Sequence, residues 1–349
     1  MPANRKRDAR LRRTAAVSLL FVLAFPTACS TKTFHDTPAT VAPAGPAQSP
    51  PLTHAPAGVI RPLDARTQSA VFDQRTGQLV TVAPGPDSGA PSSLTLVGAQ
   101  QTPPRVIPLP GPATGLVGDN AGTAYLSTRG GYFVVDLTVG HATLVSLRDA
   151  GHVDFSAITR RTDGTVVLGT ADGTLYSLGP GATDANRTQV HARADSLAAQ
   201  GNTVAVLDRG QTSIVTVGAD GRIAQSLRAG QGATTMVADP AGRLLVSDTR
   251  GGQLLVFGVD PLILRQAYPV ADAPYGVVGS RGLAWVSQTS ANTVIGYDLS
   301  TGIPLEKVRY PSVRQPNALA FDDTAGTLYV VSGAGDGVQT IEHAATGPR

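Results

Sequence analysis

The 349-residue chain has one cysteine, one tryptophan, two methionines, two glutamates and three lysines. A lone cysteine, Cys29, excludes an intramolecular disulfide and any cluster of cysteine-bound metal. The only long uncharged apolar stretch, Thr14 to Ala28, is 15 residues, too short to cross a bilayer comfortably. No amphipathic helical pattern of about ten residues appears beyond it. Asp184 to Arg187 and Ser196 to Gln200 are too short to form helices. Phosphate-loop, zinc-helix and nucleophile-elbow motifs are all missing.

What is present at the amino terminus reads as an export signal. Arg5, Lys6, Arg7, Arg10, Arg12 and Arg13 precede the apolar stretch, which ends Pro26-Thr27-Ala28-Cys29. Without the first 28 residues, Lys+Arg fall from 28 to 22 and Asp+Glu from 25 to 24, so the net charge changes from +3 to −2. The high isoelectric point therefore belongs to the signal, and it gives no reason to expect nucleic acid as a partner. Cys29 directly follows a small residue, as in a bacterial lipobox, although Pro26 stands where such motifs carry Leu. The expectation is lipidation at Cys29 and a lipid-anchored position on the extracytoplasmic face of the cell membrane, because an acyl chain holds a protein there without a spanning helix. From residue 29 to 58, Pro, Ala, Thr and Ser dominate and large apolar residues are few. This composition predicts a flexible tether. His35 and His54 read as solvated linker residues.

The remainder is periodic. Gly77, Gly122, Gly164, Gly201, Gly242, Gly282 and Gly326 recur at intervals of 45, 42, 37, 41, 40 and 44 residues, each just before a short apolar run. Such a period, with about four strands per unit, predicts an all-β, seven-bladed β-propeller over 59–343, followed by a C-terminal tail, 344–349. The second-strand segments run from Leu79 to Val82, Ala124 to Ser127, Val166 to Gly169, Val204 to Leu207, Leu244 to Ser247, Ala284 to Ser287 and Leu328 to Val331. They are small and β-branched, as strands stacked between neighbouring blades should be. After Gly326 the chain has residues for only two more strands, whereas about 59–65 precede the first blade without one of their own. Pairing that segment as the outer strand of the last blade would close the ring, and Pro62 is tolerable on such an edge.

In the sixth unit, the stretch from Gln288 to Gly302 (QTSANTVIGYDLSTG) resembles the YVTN repeat of YncE-like propellers, and Pro316-Asn317-Ala318-Leu319-Ala320-Phe321-Asp322 resembles the start of an inner strand in the same superfamily. The resemblance implies fold rather than activity, since that superfamily mixes binding proteins, lactonases and lyases. Quinoprotein dehydrogenases carry tryptophans in most blades, and Trp285 stands alone here.

Propeller sites lie where the loops from the second to the third strand, and from each outer strand to the next blade, meet the channel. An Arg-Gly pair recurs in the former at Arg129, Arg209 and Arg250. With Asp208, Asp248, Asn292 and Arg314 these could bind an anion, or they could be ordinary hairpin turns with solvated side chains. The other loops add His152, Asp154, Arg193, Asp195 and Asp272. His152 and Asp154 lie two apart, the spacing of a general-base pair. Propeller lactonases and streptogramin lyases, as families, group glutamates or histidines at the channel. Here Glu306, Glu342, His141, His191 and His343 fall in outer strands. Asp208, Asp248 and Asn292 could contribute to a divalent-cation site, but no spacing demands one, and no cofactor is expected. Tyr132 and Tyr275 are candidates for a protein contact. The composition thus favours a monomeric, non-catalytic binding or scaffold lipoprotein that takes a protein, an anionic small molecule or a glycan. The alternative is a lactonase-type hydrolase, possibly metal-dependent.

Overall fold

A computed structural model describes residues 40–63, 67–99, 102–190 and 193–347. The export signal, Cys29, His35 and His191 lie outside the described residues. Among those described, seven antiparallel four-stranded sheets form; in blades 1 to 6 the first strand in sequence lines the centre, and in blade 7 Pro316–Asp322 does. Blade 1 shows the plan, with Ser69–Asp73 innermost, then Gln78–Ala83, Ser93–Val97 and Arg105–Pro108 outermost.

The seven glycines occupy the turns between first and second strands, and all but Gly282 adopt a positive φ that side-chain-bearing residues resist. These turns also touch their neighbours. The Gly122 amide donates to Asp73 Oδ2 at 3.0 Å, Gln200 Nε2 to the Asp239 carbonyl at 3.2 Å, and the Arg281 amide to Asp323 Oδ1 at 2.9 Å. The repeating glycines therefore build a belt of turns on the face away from the second-to-third-strand loops.

The apolar core is divided among the seams. Seven clusters of buried side chains each draw on two adjacent blades, for example Leu245, Val256 and Val270 with Val277, Val286 and Tyr297 between blades 5 and 6. The second strands are buried on both faces because each sheet is sandwiched, which is why they show no alternation of polar and apolar residues. Among the described residues the seam between blades 7 and 1 has one of the smallest of these clusters, with six buried residues, helped by Phe72 stacking on Tyr329 at 5.5 Å.

That seam is also where the ring closes. Val59–Arg61 pairs antiparallel with Val338–Ile341, in register Val59↔Thr340 and Arg61↔Val338, and supplies the outer strand of blade 7. This clasp is shorter than the 59–65 expected, ending before Pro62, which has no N–H to extend the ladder. Arg61, buried to 9% exposure, crosses the seam. Its guanidinium donates to the carbonyls of Gly98 at 2.7 Å, Ala99 at 3.2 Å and Thr102 in blade 1. Gly58 and Gly337 flank the clasp so closely that a Cβ on either would stand 2.1 Å from the Thr340 or Arg61 carbonyl oxygen. Ser196–Gln200 is the inner strand of blade 4, and the end of the chain forms a short 3-10 turn at Ala344–Thr346.

Candidate functional site: the channel-mouth face and its strap

Residues 40–58, whose composition predicts a free tether, lie against the propeller as an extended strap. The Val41 amide donates to the Gly210 carbonyl at 2.8 Å in blade 4. Arg250 Nη2 donates to the Ala42 carbonyl at 2.6 Å, and Arg209 Nη2 to that of Ala44. The strap then passes to the loops of blades 6 and 7. There the Ala47 amide donates to Thr289 Oγ1 at 3.1 Å, and Gln315 Nε2 to the Ala47 carbonyl at 2.8 Å. Ser49 is held by three hydrogen bonds through two atoms. Its amide donates to Gln315 Oε1 at 3.1 Å and its hydroxyl to the Thr289 carbonyl at 2.7 Å, while that same hydroxyl accepts the Gln315 amide at 2.7 Å. Asn292 Nδ2 donates to the Pro50 carbonyl at 2.9 Å. Ala57, bonded to the Pro311 carbonyl at 3.0 Å, leads into the clasp.

Pro43, Pro46, Pro50 and Pro51 explain this geometry, because each fixes φ and keeps the chain extended without an amide that would need a partner. The contacts are made by the strap's main chain and one small hydroxyl. No large apolar side chain is involved.

The structure thus brings Arg209, Arg250 and Asn292 to one segment and leaves the other sequence candidates apart. Arg129 pairs with Asp154 at 3.6 Å, both well exposed, between blades 2 and 3. His152 is exposed in the same loop, and the Asp154 carboxylate faces that arginine. Arg314 grips Asp336 through two nitrogens, at 3.2 and 2.7 Å, and holds that carboxyl below the usual carboxylate range. Arg193 contacts Asp195 at 3.3 Å.

The two loop aspartates act as fasteners for the backbone. Asp208, fully buried, accepts the amides of Arg193 and Gln211, each at 2.7 Å. Asp248, also buried, accepts those of Gln231, Gly232 and Gly251 at 2.9, 2.7 and 3.0 Å. Gly230 and Gly251 approach this carboxylate too closely for a Cβ, at 1.9 and 2.0 Å from Oδ2. Both carboxylates therefore tie the second-to-third-strand loop of a blade to the entry into that same blade's inner strand. Asp272 adopts a positive φ in the corresponding loop before blade 6.

Inside, the channel encloses about 610 Å³. Its wall is mostly small or neutral: Ala70, Gly115, Ser156, Ala198, Val237, Gly276 and Ala318 stand for the seven inner strands, and the charged residues among its lining are Arg160, Asp195 and Asp323. Tyr275 lines it, whereas Tyr132 is buried in the seam between blades 2 and 3. No described histidine or glutamate is part of the wall. Glu306, in the outer strand Leu305–Pro311, pairs with Arg309 at 2.8 and 2.7 Å, and the arginine lowers its pKa. Among the described residues no three His, Cys, Asp or Glu side chains gather as metal ligands would.

No protein-family profile and no curated relative matches this chain. Solved structures do. A streptogramin B lyase superposes with a TM-score of 0.66 at 11% identity, over 82% of this chain and 96% of that one. Virginiamycin B lyase from Staphylococcus aureus gives 0.64 at 13% identity, over 80% and 95%. The Kuenenia stuttgartiensis hydrazine synthase gives 0.65 at 12% identity, over 84% and 100%. At such identities the likeness is one of fold. A histidine-to-alanine variant of the virginiamycin lyase, determined with quinupristin, is catalytically inactive.

The strap and its partners Thr289 and Gln315 were not legible as a site. The one usable signal is Ser49-Pro50 amid alanines and prolines, the only Ser-Pro step between Gly45 and Pro56.

Proposed function

We propose that the chain is an exported lipoprotein, anchored through Cys29 at the extracytoplasmic face of the membrane, whose propeller binds a partner at the channel-mouth face and performs no catalysis. One observation carries the binding role. At that face Asp208 and Asp248 are taken up by backbone amides and Arg209 and Arg250 by carbonyls of the chain's own strap, while the channel wall offers mostly neutral, small side chains. A hydrolase needs a general base or a polarising group aimed at a reacting atom. The virginiamycin lyase requires a histidine, and no described histidine of this chain reaches the channel. Grasp of extended chain by fixed side-chain donors is what a binding surface supplies.

Two measurements test this. Labelled palmitate should enter the intact chain in a bacterial host and not its Cys29→Ala variant; equal labelling of the two refutes the anchor. The purified protein, supplied in turn with Ca²⁺, Mg²⁺ and Zn²⁺, should leave a panel of lactones intact. Turnover that disappears in Asp248→Asn, with that variant still folded, would establish the hydrolase instead.

A further inference from the structure

We infer that the channel-mouth face is a groove for extended Ala/Pro-rich peptide, that the strap is its occupant in cis, and that a partner protein's segment of the same chemistry displaces it. This rests on the reading of that face as a binding surface.

Three features point to a peptide. Four side chains on different loops, Arg209, Arg250, Asn292 and Gln315, donate to main-chain carbonyls of the strap. Carbonyls at successive positions along an extended chain are what any peptide offers, whatever its side chains. The strap's own side chains are small where they face the propeller, so the groove selects for Ala, Gly and Pro by lack of room: Gly232 lies where a Cβ would stand 3.2 Å from that of Ala44. One strap side chain is read individually, the Ser49 hydroxyl, which both donates and accepts. A proline-rich chain, already extended, loses less freedom on docking than an ordinary one.

The strap leaves two polar atoms of the groove unmet. Beneath it, Asn292 Oδ1 and Arg209 Nε have no hydrogen-bond partner although both atoms are buried, and Asn292 as a whole is 6% exposed. An occupant with a donor opposite Asn292 and a second acceptor opposite Arg209 satisfies both, where the strap satisfies neither. Strap residues Ala44, Pro46, Ala47 and Ser49 are only half-buried, with exposed residues between them, so release uncovers little apolar surface.

The probe is a fluorescein-labelled peptide with the sequence of residues 40–50, followed by anisotropy. It is titrated against the full chain and against a full-length variant in which those residues are replaced by a Gly/Ser segment of equal length. The replaced chain should bind the peptide, and the unaltered chain at least about tenfold more weakly, because its own strap competes at an effective concentration near millimolar. In the replaced chain, Arg209→Ala and Gln315→Ala should each weaken binding by about tenfold, and so should a peptide carrying Ser49→Ala. A replaced chain that keeps its thermal midpoint yet takes no peptide overturns the proposal, as does equal binding to both chains. Concentration-dependent dimerisation of the unaltered chain, abolished by strap replacement, would reassign the groove to a second copy and likewise overturn it. Lactone turnover would sink the binding-module reading separately, since the peptide titration does not depend on it.

Discussion

Removing the Arg61 side chain tests whether one guanidinium holds the ring shut. Arg61 joins the clasp strand to blade 1 through three carbonyls, at a seam whose cluster among the described residues has six buried apolar side chains. Hydrogen bonds from a charged donor contribute about 1.5–3 kcal/mol each in favourable settings. Here Ala99 and Thr102 are exposed, so water can replace the lost donor, and about 1 kcal/mol per bond is the appropriate figure. Arg61→Ala should thus cost about 3 kcal/mol. In a domain of this size each kcal/mol lowers the midpoint by about 2 °C, so calorimetry should show a fall of about 6 °C. Arg61→Lys, whose single ammonium cannot reach all three carbonyls, should recover a third of that or less. Hydrogen exchange places the effect: amides of the pair Val59–Arg61 and Val338–Ile341 should exchange about 100-fold faster, the equivalent of those 3 kcal/mol. A midpoint unchanged within 1 °C, with faster exchange confined to the clasp, would refute the claim that ring stability passes through this residue.

Gly337→Ala should be worse tolerated, because φ is 100° there and the new Cβ would meet the Arg61 carbonyl oxygen at 2.1 Å; soluble yield and midpoint should both drop well below those of Gly201→Ala, which meets nothing within 4 Å. Arg314 lowers the Asp336 pKa in the folded state, so that pair's stabilisation is present above the ordinary carboxylate range near 4 and fades as pH falls through the lower folded value. Acid unfolding of Asp336→Asn should accordingly show a shallower loss of stability below about pH 4, and an unchanged slope would count against the pair. Trp285, the sole tryptophan, is fully buried and stacked on Phe321 at 5.6 Å across the seam between blades 6 and 7. Its emission should shift to the red in a single transition coincident with loss of far-UV circular dichroism, and an earlier red shift would mean that this seam opens before the ring.

Architecture was readable in the chain because propellers repeat a local event. Each turn glycine precedes a strand that must be apolar on both faces, and Leu79, Val204, Leu244 and Leu328 all lie in strands where expected. The clasp could be foreseen from counting strands, though not that it would stop at Arg61. The candidate site was less legible. Location alone marks Asp208 and Asp248 as channel-mouth groups, yet their Asp-x-Gly and Asp-x-x-Gly-Gly settings are those of side chains that close their own turns, and they accept backbone amides. Arg129 looks like Arg209 and Arg250 in sequence, but among the described residues only the latter two have a segment of chain above them. Hydropathy is blind to that segment, because its attachment uses main-chain groups that every residue shares.

Strap and clasp lie in series along the chain, and this has a mechanical consequence. A pull applied on the N-terminal side of Thr40 loads the bond at Gly210 first, then those at Arg250, Arg209, Gln315 and Asn292, each yielding by itself as in a zipper. Peeling residues 40–57 releases up to roughly 60 Å of chain before tension reaches Val59–Arg61. The strap therefore gives the propeller a compliant lead that absorbs force at low load and keeps it off the short strand on which closure of the ring depends.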